Sequence, residues 1–404
     1  MEKVGNYIPN DLIISILSKL PLKSLKRFEC VQKSWIFLLK DSHFMNIYRK
    51  KFMSETLFDS DDRSYLMNYT FDSNVAEVRS SFYFLSGERL ENKVKIDYSL
   101  PFEDWGQDFI FVGSCSINGI VGIVSLNEDF ALWNPTTDEC KVIPHSATES
   151  VPYRNCSWLI HGFGYDHVKD DYKVLRRVSF YQLSRNDCEY LGLDEENVPW
   201  KDVSYESVWE IYSLRSDSWR ELNINIPMTI PSYQLIPYHD NRISRCYSNG
   251  MCHSLYKMSE YIFQTCLMSF EVSNEVVVTT PMPSYMNDNM DREWNQKHLI
   301  MLIKGFIALS SYHVETNTIH ISILNEIGVK ESWIKFFILG PLSCVAYPFA
   351  GGKNGDLFLR KNNEELIACF DLDIEMVDDL GFQAHISYVI IYNKSLLSIR
   401  SIHD

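Results

Sequence analysis

The chain has 404 residues, of which 46% are hydrophobic and 23% charged, and its formal net charge at pH 7 is −15. This length exceeds that of a typical single domain, and the composition is that of an ordinary soluble protein, not of a fibrous or disordered one. Its first residues lack the apolar core of a secretory signal, and no stretch approaches the roughly 20 apolar residues that a membrane-spanning helix needs. We therefore expect a protein of the cytoplasm or nucleus.

Charge is divided unequally along the chain. Residues 1–53 contain ten Lys and Arg against four Asp and Glu, whereas the remainder contains 28 against 49. The acidic remainder would repel a phosphate backbone, which argues against nucleic-acid binding. Its charge either serves solubility alone or attracts a basic protein partner over about one Debye length, ~8 Å at physiological salt.

Residues 1–53 show the pattern of three to four short helices. Pro9 suits the first turn of a helix, Pro21 ends that helix, and further apolar-periodic segments contain Leu25 and Trp35. A unit of this size is marginal alone, so its apolar side chains either pack against the rest of the chain or bind another protein. The apolar side chains of the first helix fall within an arc of roughly 140°. They are Leu12, Ile13, Ile16, Leu17 and Leu20.

We assign residues 54–107 to a connecting segment with the first strands, and residues 108–404 to a large β domain. Short runs rich in Val, Ile, Phe, Tyr and Trp alternate there with Asn, Asp, Gly and Ser, which predicts β-strands joined by tight turns. A weak repeat of strand, polar turn and strand is visible in five places. Its steps of 79, 58 and 56 residues give a period of roughly 40 to 58 when the first step is taken as two units. Its copies are LWNPTTDECKVIP, EIYSLRSDSWREL, MSFEVSNEVVVTTPMP, ILNEIGVKESWIKFFI and CFDLDIEMVDDLGF.

The repeat places Asp138, Asp217 and Glu275 at equivalent turn positions. Such a period suits the four-stranded blades of a β-propeller, and the available length predicts about six to eight of them. A β-sandwich of this length would be unusually large. We expect Trp133, Trp219 and Trp333, which recur near the repeated turns, to pack between blades.

Motifs of catalysis are absent from the sequence. It contains no G-x-S-x-G, and the GFGYD segment at residues 162–166 lacks the rest of a phosphate-binding fingerprint. The ten cysteines are irregularly spaced, and Cys246, Cys252 and His253 match no common zinc spacing. We therefore predict a protein that is not an enzyme, with no metal and no cofactor, whose cysteines are small buried side chains.

Two irregular segments interrupt the strand pattern and are the candidate target-binding loops. Residues 181–206 carry seven acids against two bases, together with Tyr190 and Trp200. Residues 284–298 contribute Tyr285 and Trp294. Long segments of this kind either carry function or merely connect strands, and the sequence leaves both open.

The N-terminal unit resembles the F-box of plant F-box proteins. The matching features are Ile8-Pro9 at the opening, Leu20-Pro21 at the helix break, Arg27 to Val31, and Lys33-Ser34-Trp35. The resemblance implies that this module binds a Skp-type adaptor, which links it to a cullin and a RING subunit of a ubiquitin ligase. It also implies a joint set of adaptor-facing and module-core positions: Pro9, Leu12, Ile13, Ile16, Leu17, Leu20, Pro21, Leu25 and Trp35.

The remainder resembles the F-box-associated interaction domain of plants, including the S-locus F-box and F-box-kelch-like proteins. The matching segments are GSC, NGIVGI, LWNPTT, GFGYD, DDYKV, EIYSLRSDSWREL, MSFEV, GVKESWIKFF and KNGDLFL. One departure is the insertion of Ser116-Ile117 before Asn118-Gly119, which we expect to loosen a turn. The resemblance implies a substrate-recognition subunit that recruits a protein for ubiquitination.

Two other functions remain open from the sequence. The chain could be a protein-binding propeller that sequesters or represses a partner without assembling a ligase, or a lectin-like or enzymatic propeller. The sequence names neither the target nor any modification that recognition needs, and it does not define the pathway, in self-incompatibility or elsewhere.

Overall fold

The computed structural model describes residues 9–17, 37, 44, 64–71, 79–98, 109–125, 129–194, 200, 203–204, 206–224, 245–257, 265–283, 298–313, 315–341, 345–352, 354–361, 366–372, 376–383 and 386–399. Six predicted site residues lie outside these ranges: Leu20, Pro21, Leu25, Trp35, Tyr285 and Trp294.

Helix α1 spans Asn10–Leu17. The backbone N–H groups of Leu12 and Ile13 donate to the carbonyl of Pro9, at 3.0 and 3.1 Å, so the helix begins at this proline as the sequence predicts. The other helices predicted over residues 1–53 lie largely outside the described residues. Two isolated positions there, 37 and 44, are described, and both are helical. None of the helices in the described ranges is long and apolar enough to cross a membrane.

Antiparallel β-sheet dominates the described part of the chain beyond residue 64, which confirms the predicted β class. One sheet has eight strands, in the order β3-β2-β1-β24-β4-β5-β6-β7. Its strands are β1 (Ser64–Phe71), β2 (Arg79–Ser86), β3 (Asn92–Ile96), β4 (Phe109–Ile117), β5 (Ile120–Ser125), β6 (Phe130–Asn134), β7 (Glu139–Val142) and β24 (Ile386–Ile391).

Four further sheets have four strands each, and within each sheet consecutive strands are neighbours. The second sheet contains β8 (Arg154–Asp166), β9 (Asp171–Gln182), β10 (Val208–Ser213) and β11 (Ser218–Glu221). The third contains β12 (Arg245–Ser248), β13 (Met251–Lys257), β14 (Thr265–Glu271) and β15 (Val276–Pro281). The fourth contains β16 (His298–Ile303), β17 (Phe306–His313), β18 (Thr318–Leu324) and β19 (Trp333–Leu339). The fifth contains β20 (Val345–Gly351), β21 (Asp356–Lys361), β22 (Leu366–Asp371) and β23 (Met376–Gln383).

The eight-stranded sheet joins the two ends of the β region. Strand β24 pairs antiparallel with β1 along its length, from Tyr65 opposite Ile391 to Thr70 opposite Ile386. Its contact with β4 is parallel and consists of one pair, Ile391 with Cys115. The sheet therefore divides into two four-stranded halves, and strands from before residue 108 share a sheet with the last strand.

The sequence repeat corresponds to one structural position. Each of its five copies contains the hairpin between the third and fourth strands of a sheet or half-sheet, from β6–β7 to β22–β23. Asp138, Asp217 and Glu275 each lie in the turn of such a hairpin with a positive φ, of 58°, 48° and 60°. Polar residues tolerate this left-handed backbone better than branched ones, which explains why the turns were recognisable in the sequence.

Tryptophans connect neighbouring sheets, as predicted. Trp219 Nε1 donates to the carbonyl of Pro144 at 2.7 Å, and Trp333 Nε1 donates to that of Pro281 at 3.1 Å. Both acceptors lie at or just beyond the end of the fourth strand of the preceding sheet or half-sheet, so the same link recurs. Trp133, on β6, is fully buried in an apolar cluster between the two halves of the large sheet.

Candidate functional site

The connections between strands fall into two groups that lie at opposite ends of the sheets. Antiparallel strands alternate in direction, so the links between the second and third strands lie at the same end as the links from one sheet to the next. The longest connections, residues 183–207, 222–244 and 282–297, all belong to this group. We term this end the long-connection end. The opposite, tight-turn end carries short hairpins such as Asn118-Gly119 and Lys304-Gly305.

Contacts between turns support this assignment of ends. At the tight-turn end, Lys173 Nζ donates to the carbonyl of Val272 at 3.1 Å and lies 2.9 Å from Glu275 Oε1. It also forms an ion pair of 2.7 Å with Asp166. The first hairpin of the second sheet is thereby joined to the last hairpin of the third.

Two of the four predicted target-binding residues, Tyr190 and Trp200, are described, and both lie on the connection between β9 and β10 at the long-connection end. A short helix, α2 (Arg185–Tyr190), follows β9 and begins with a capping box formed by Ser184 and Asp187. Asn155 Nδ2 on β8 donates to Asp187 Oδ2 at 2.9 Å, which fixes the helix to its sheet. Tyr190 is 90% exposed beside an exposed Leu191, and Trp200 is partly buried on the same connection.

The structure separates the described residues of α1 into two groups. Leu12 and Ile16, one helical turn apart, are each 55% exposed, whereas Leu17 is buried. Ile14, which the sequence did not single out, is also buried. Pro9 is exposed and Ile13 is partly buried. The helix therefore presents one apolar edge to solvent while another is covered.

A basic cluster lies between the second and third sheets, and sequence reasoning missed it. It consists of His161 on β8, Arg177 on β9, Arg245 on β12 and Tyr256 on β13. The side chains of His161, Arg177 and Tyr256 are buried. Burial, together with the charges of Arg245 and Arg177, lowers the pKa of His161 well below its ordinary value. No local motif could have indicated the cluster, because its members come from four strands.

Two of the described cysteines, Cys246 and Cys252, lie in surroundings that disfavour reaction. Cys246 and Cys252 are buried, and burial raises the pKa of both thiols, which disfavours the nucleophilic thiolate. His253 is buried too, with Nδ1 2.8 Å from Ser269 Oγ. Among the residues that the structure describes, no group of three or more His, Cys, Asp and Glu is arranged to hold a metal ion.

These features define a mostly β protein built from consecutive four-stranded sheets, with its longest connections at one end of the sheets and a helix near the N-terminus. The sequence profile of the F-box associated beta propeller domain matches residues 59–400. The chain therefore belongs to that family and is a plant F-box protein with an F-box-associated domain.

Relatives of the chain are Arabidopsis thaliana F-box proteins. One of them is 26% identical over 351 residues, covering 85% of this chain and 68% of its own length. F-box protein CPR1 is 23% identical over 389 residues, covering 92% of this chain and 84% of its own length. F-box only protein 8 is 26% identical over 299 residues, covering 72% and 85%.

Solved structures are less similar. The structure titled "YCF48 bound to D1 peptide" aligns with 10% identity and a TM-score of 0.34, covering 78% of this chain and 82% of that one. At that level no functional inference follows. The family itself implies binding of a Skp-type adaptor and of a substrate through the associated domain, and its members are generally non-catalytic adaptor subunits.

Proposed function

We propose that this protein is the substrate-recognition subunit of a Skp-cullin-F-box ubiquitin ligase. Residues 1–53 bind the Skp-type adaptor, which connects the chain indirectly to the cullin and RING subunits, in the cytoplasm or nucleus. Residues 108–404, with the strands from residues 54–107, bind a protein target for ubiquitination and degradation. Family membership supports this proposal, and the apolar edge of α1 is the observation that carries it.

The exposed pair on α1 needs a partner for a physical reason. Leu12 and Ile16 are adjacent on the helix surface, and a fully buried leucine or isoleucine gains about 1.5–3 kcal/mol over an exposed one. Helix-in-groove recognition uses such i and i+4 anchors. Leu17 and Ile14, by contrast, are buried.

The role requires no catalytic group in this chain. A receptor raises the effective concentration of a target lysine near a ubiquitin donor that another subunit carries. The target would meet the long-connection end, where Tyr190 is exposed. Tyrosine binds well at interfaces because it offers a large amphipathic surface at low entropic cost.

We also infer that the propeller has six blades. Five are the consecutive four-strand groups that start at β4, β8, β12, β16 and β20, and the sixth combines β24 with β1, β2 and β3. In this arrangement the last strand completes the blade of the first three strands, which closes the ring and leaves only short outer edges.

Calorimetric titration of the full chain with a Skp-type adaptor tests the proposal. We choose Leu12→Asp and Ile16→Lys, because an acid near the helix N-terminus and a base near its C-terminus suit the helix dipole and leave folding intact. Leu17→Asp is less informative, since a charge at that buried position would unfold the module. Val168→Asp, at an exposed apolar residue of the tight-turn end, is the matched control.

We expect one-to-one binding by the wild type and the control, and at least tenfold weaker binding by the two α1 variants. No binding by well-folded wild-type protein would rule out the ligase role. In that case the chain would be a propeller that sequesters its partner without ligase assembly.

A further inference from the structure

Helix α2 is fixed at its start and also at its end. Its capping box and the hydrogen bond from Asn155 hold the start against β8. At the end, the N–H of Gly192 donates to the carbonyl of Glu189 at 3.2 Å. The N–H of Leu193 donates to the carbonyl of Cys188 at 2.8 Å. These two bonds, with a φ of 65° at the glycine, form a Schellman motif, so a helix too short to be stable alone is closed at both termini.

This fixed helix presents two adjacent apolar side chains to solvent. Tyr190 is 90% exposed and Leu191 is 56% exposed, whereas Cys188 of the same helix is buried. A single exposed apolar residue is common on protein surfaces and needs no explanation. A pair on a preformed element differs, because side chains that are held in place before binding lose little conformational entropy on contact. The pair is therefore suited to anchoring another protein.

Acidic residues surround the pair. Glu189 and Asp194, which lie on either side of it in the chain, are both exposed. Residues 181–206 carry seven acids against two bases, a net charge of −5, within a protein whose net charge is −15. Charge complementarity therefore selects a basic partner for this surface and disfavours an acidic one.

We propose that Tyr190 and Leu191 dock an exposed basic segment of the target protein, in which arginine or lysine flanks an apolar side chain. The apolar side chain of the target packs against Leu191 and the edge of the tyrosine ring. A guanidinium or ammonium group of the target lies over the face of the Tyr190 ring and pairs with the carboxylate of Glu189. An acidic segment would be repelled by the same carboxylates.

This inference deepens the proposed function and rests on it for its biological meaning. Docking on α2 places the target at the long-connection end, as that function requires. One anchor pair and a few exposed charges give a weak contact that salt screens. The contact is therefore measured at low ionic strength.

Fluorescence anisotropy of labelled peptides, titrated with the full chain, tests the proposal. Three peptides of equal length serve as probes: one in which arginines flank leucine, one with serine in place of leucine, and one with glutamate in place of arginine. We expect the first to bind, the second to bind about fivefold more weakly, and the third not to bind. No binding of the first peptide, or equal binding of the glutamate peptide, would overturn the proposal.

Variants at exposed positions locate the bound peptide. Tyr190→Ser should weaken binding of the arginine–leucine peptide about fivefold or more, and Glu189→Gln about two- to threefold. Neither should change the Tm, because both side chains are exposed. The matched controls at the tight-turn end are Val168→Ser, at an apolar residue that is 72% exposed, and Glu326→Gln, at an exposed acid, and both should bind as the wild type does. If Tyr190→Ser also binds as the wild type does, the peptide lies elsewhere and the proposal is wrong.

Adaptor titration of the same preparation keeps this proposal separate from the proposed function. Adaptor binding without peptide binding would leave the ligase role standing and refute the docking site. Peptide binding without adaptor binding would uphold the docking site, in a protein that holds its partner without assembling a ligase.

Discussion

Removal of Arg176 should destabilise the protein mainly because it leaves a buried carboxylate without compensation. The guanidinium donates to Glu210 Oε2 through Nε and one terminal nitrogen, at 3.0 and 2.8 Å, and lies 2.6 Å from Glu149 Oε1. The central carbon of the guanidinium, Cζ, also lies over the ring of Trp219, 3.9 Å from the ring centroid. The side chains of Arg176 and Glu210 are 4% and 2% exposed, so neither charge is hydrated.

The expected cost of Arg176→Met follows from this burial. Breaking a buried ion pair by removing one partner costs about 3–5 kcal/mol, and methionine replaces most of the lost apolar contact. The double variant Arg176→Met with Glu210→Gln removes both charges, while the glutamine oxygen still accepts hydrogen bonds from Ser146 and Thr148, each now 2.6 Å from Glu210 Oε1. We therefore expect the double variant to recover at least half of the loss.

Urea unfolding, monitored by tryptophan fluorescence, measures both variants against the wild type. A double variant as unstable as the single one would refute the reasoning, because the loss would then come from packing against Trp219.

The pH dependence gives a second check. Burial opposes the ionisation of Glu149, but the Ser146 N–H and Arg176 together lower its pKa. Stability should thus fall as the solution is acidified through that lowered pKa, and less steeply in Arg176→Met.

Three further predictions concern contacts within a sheet, between sheets, and with the segment that follows β24. Burial opposes ionisation of Asp166, yet Lys173 lowers its pKa to about 2, so stability should fall from about pH 4 towards pH 2 and Lys173→Met should flatten this slope in acid titration. Gly162→Ala should lower the free energy of unfolding by about 1–3 kcal/mol in urea, since the added Cβ would overlap Cys252; an unchanged midpoint would contradict the close approach. Asn134→Leu removes two hydrogen bonds, of 3.1 and 2.8 Å, to carbonyls of the segment after β24, and faster hydrogen exchange confined to residues 392–399 and the strands beside them should report the loss.

The sequence indicated the β class and the repeat because both leave local signals. Turns such as the one at Asp217 require a positive φ, which polar residues tolerate, and strand alternation has a period of two. The sixth hairpin of this kind, between β2 and β3, escaped notice because its turn is built differently, around Gly87. The two residues Ser116-Ile117 were expected to loosen a turn. Instead Asn118-Gly119 forms a tight turn, and the extra length is absorbed as an irregularity within β4.

The sequence could not separate the two edges of α1 or find the basic cluster. Five of the eight residues of α1 are aliphatic, so periodicity alone does not show that Ile14 is buried and Ile16 exposed. That depends on neighbouring elements. The basic cluster depends on tertiary structure for the same reason: His161 and Arg245 are far apart in the chain and meet only because a bulge redirects one strand towards the next sheet.

Assembly of the ligase is the most direct test of the central claim. The full chain, of 47.2 kDa, would be mixed with a Skp-type adaptor and a cullin and examined by size-exclusion chromatography with light scattering. We predict one complex with one copy of each protein, which forms with Val168→Asp but not with Leu12→Asp. Elution of folded chain at its own mass, with adaptor and cullin in a separate peak, would contradict the account.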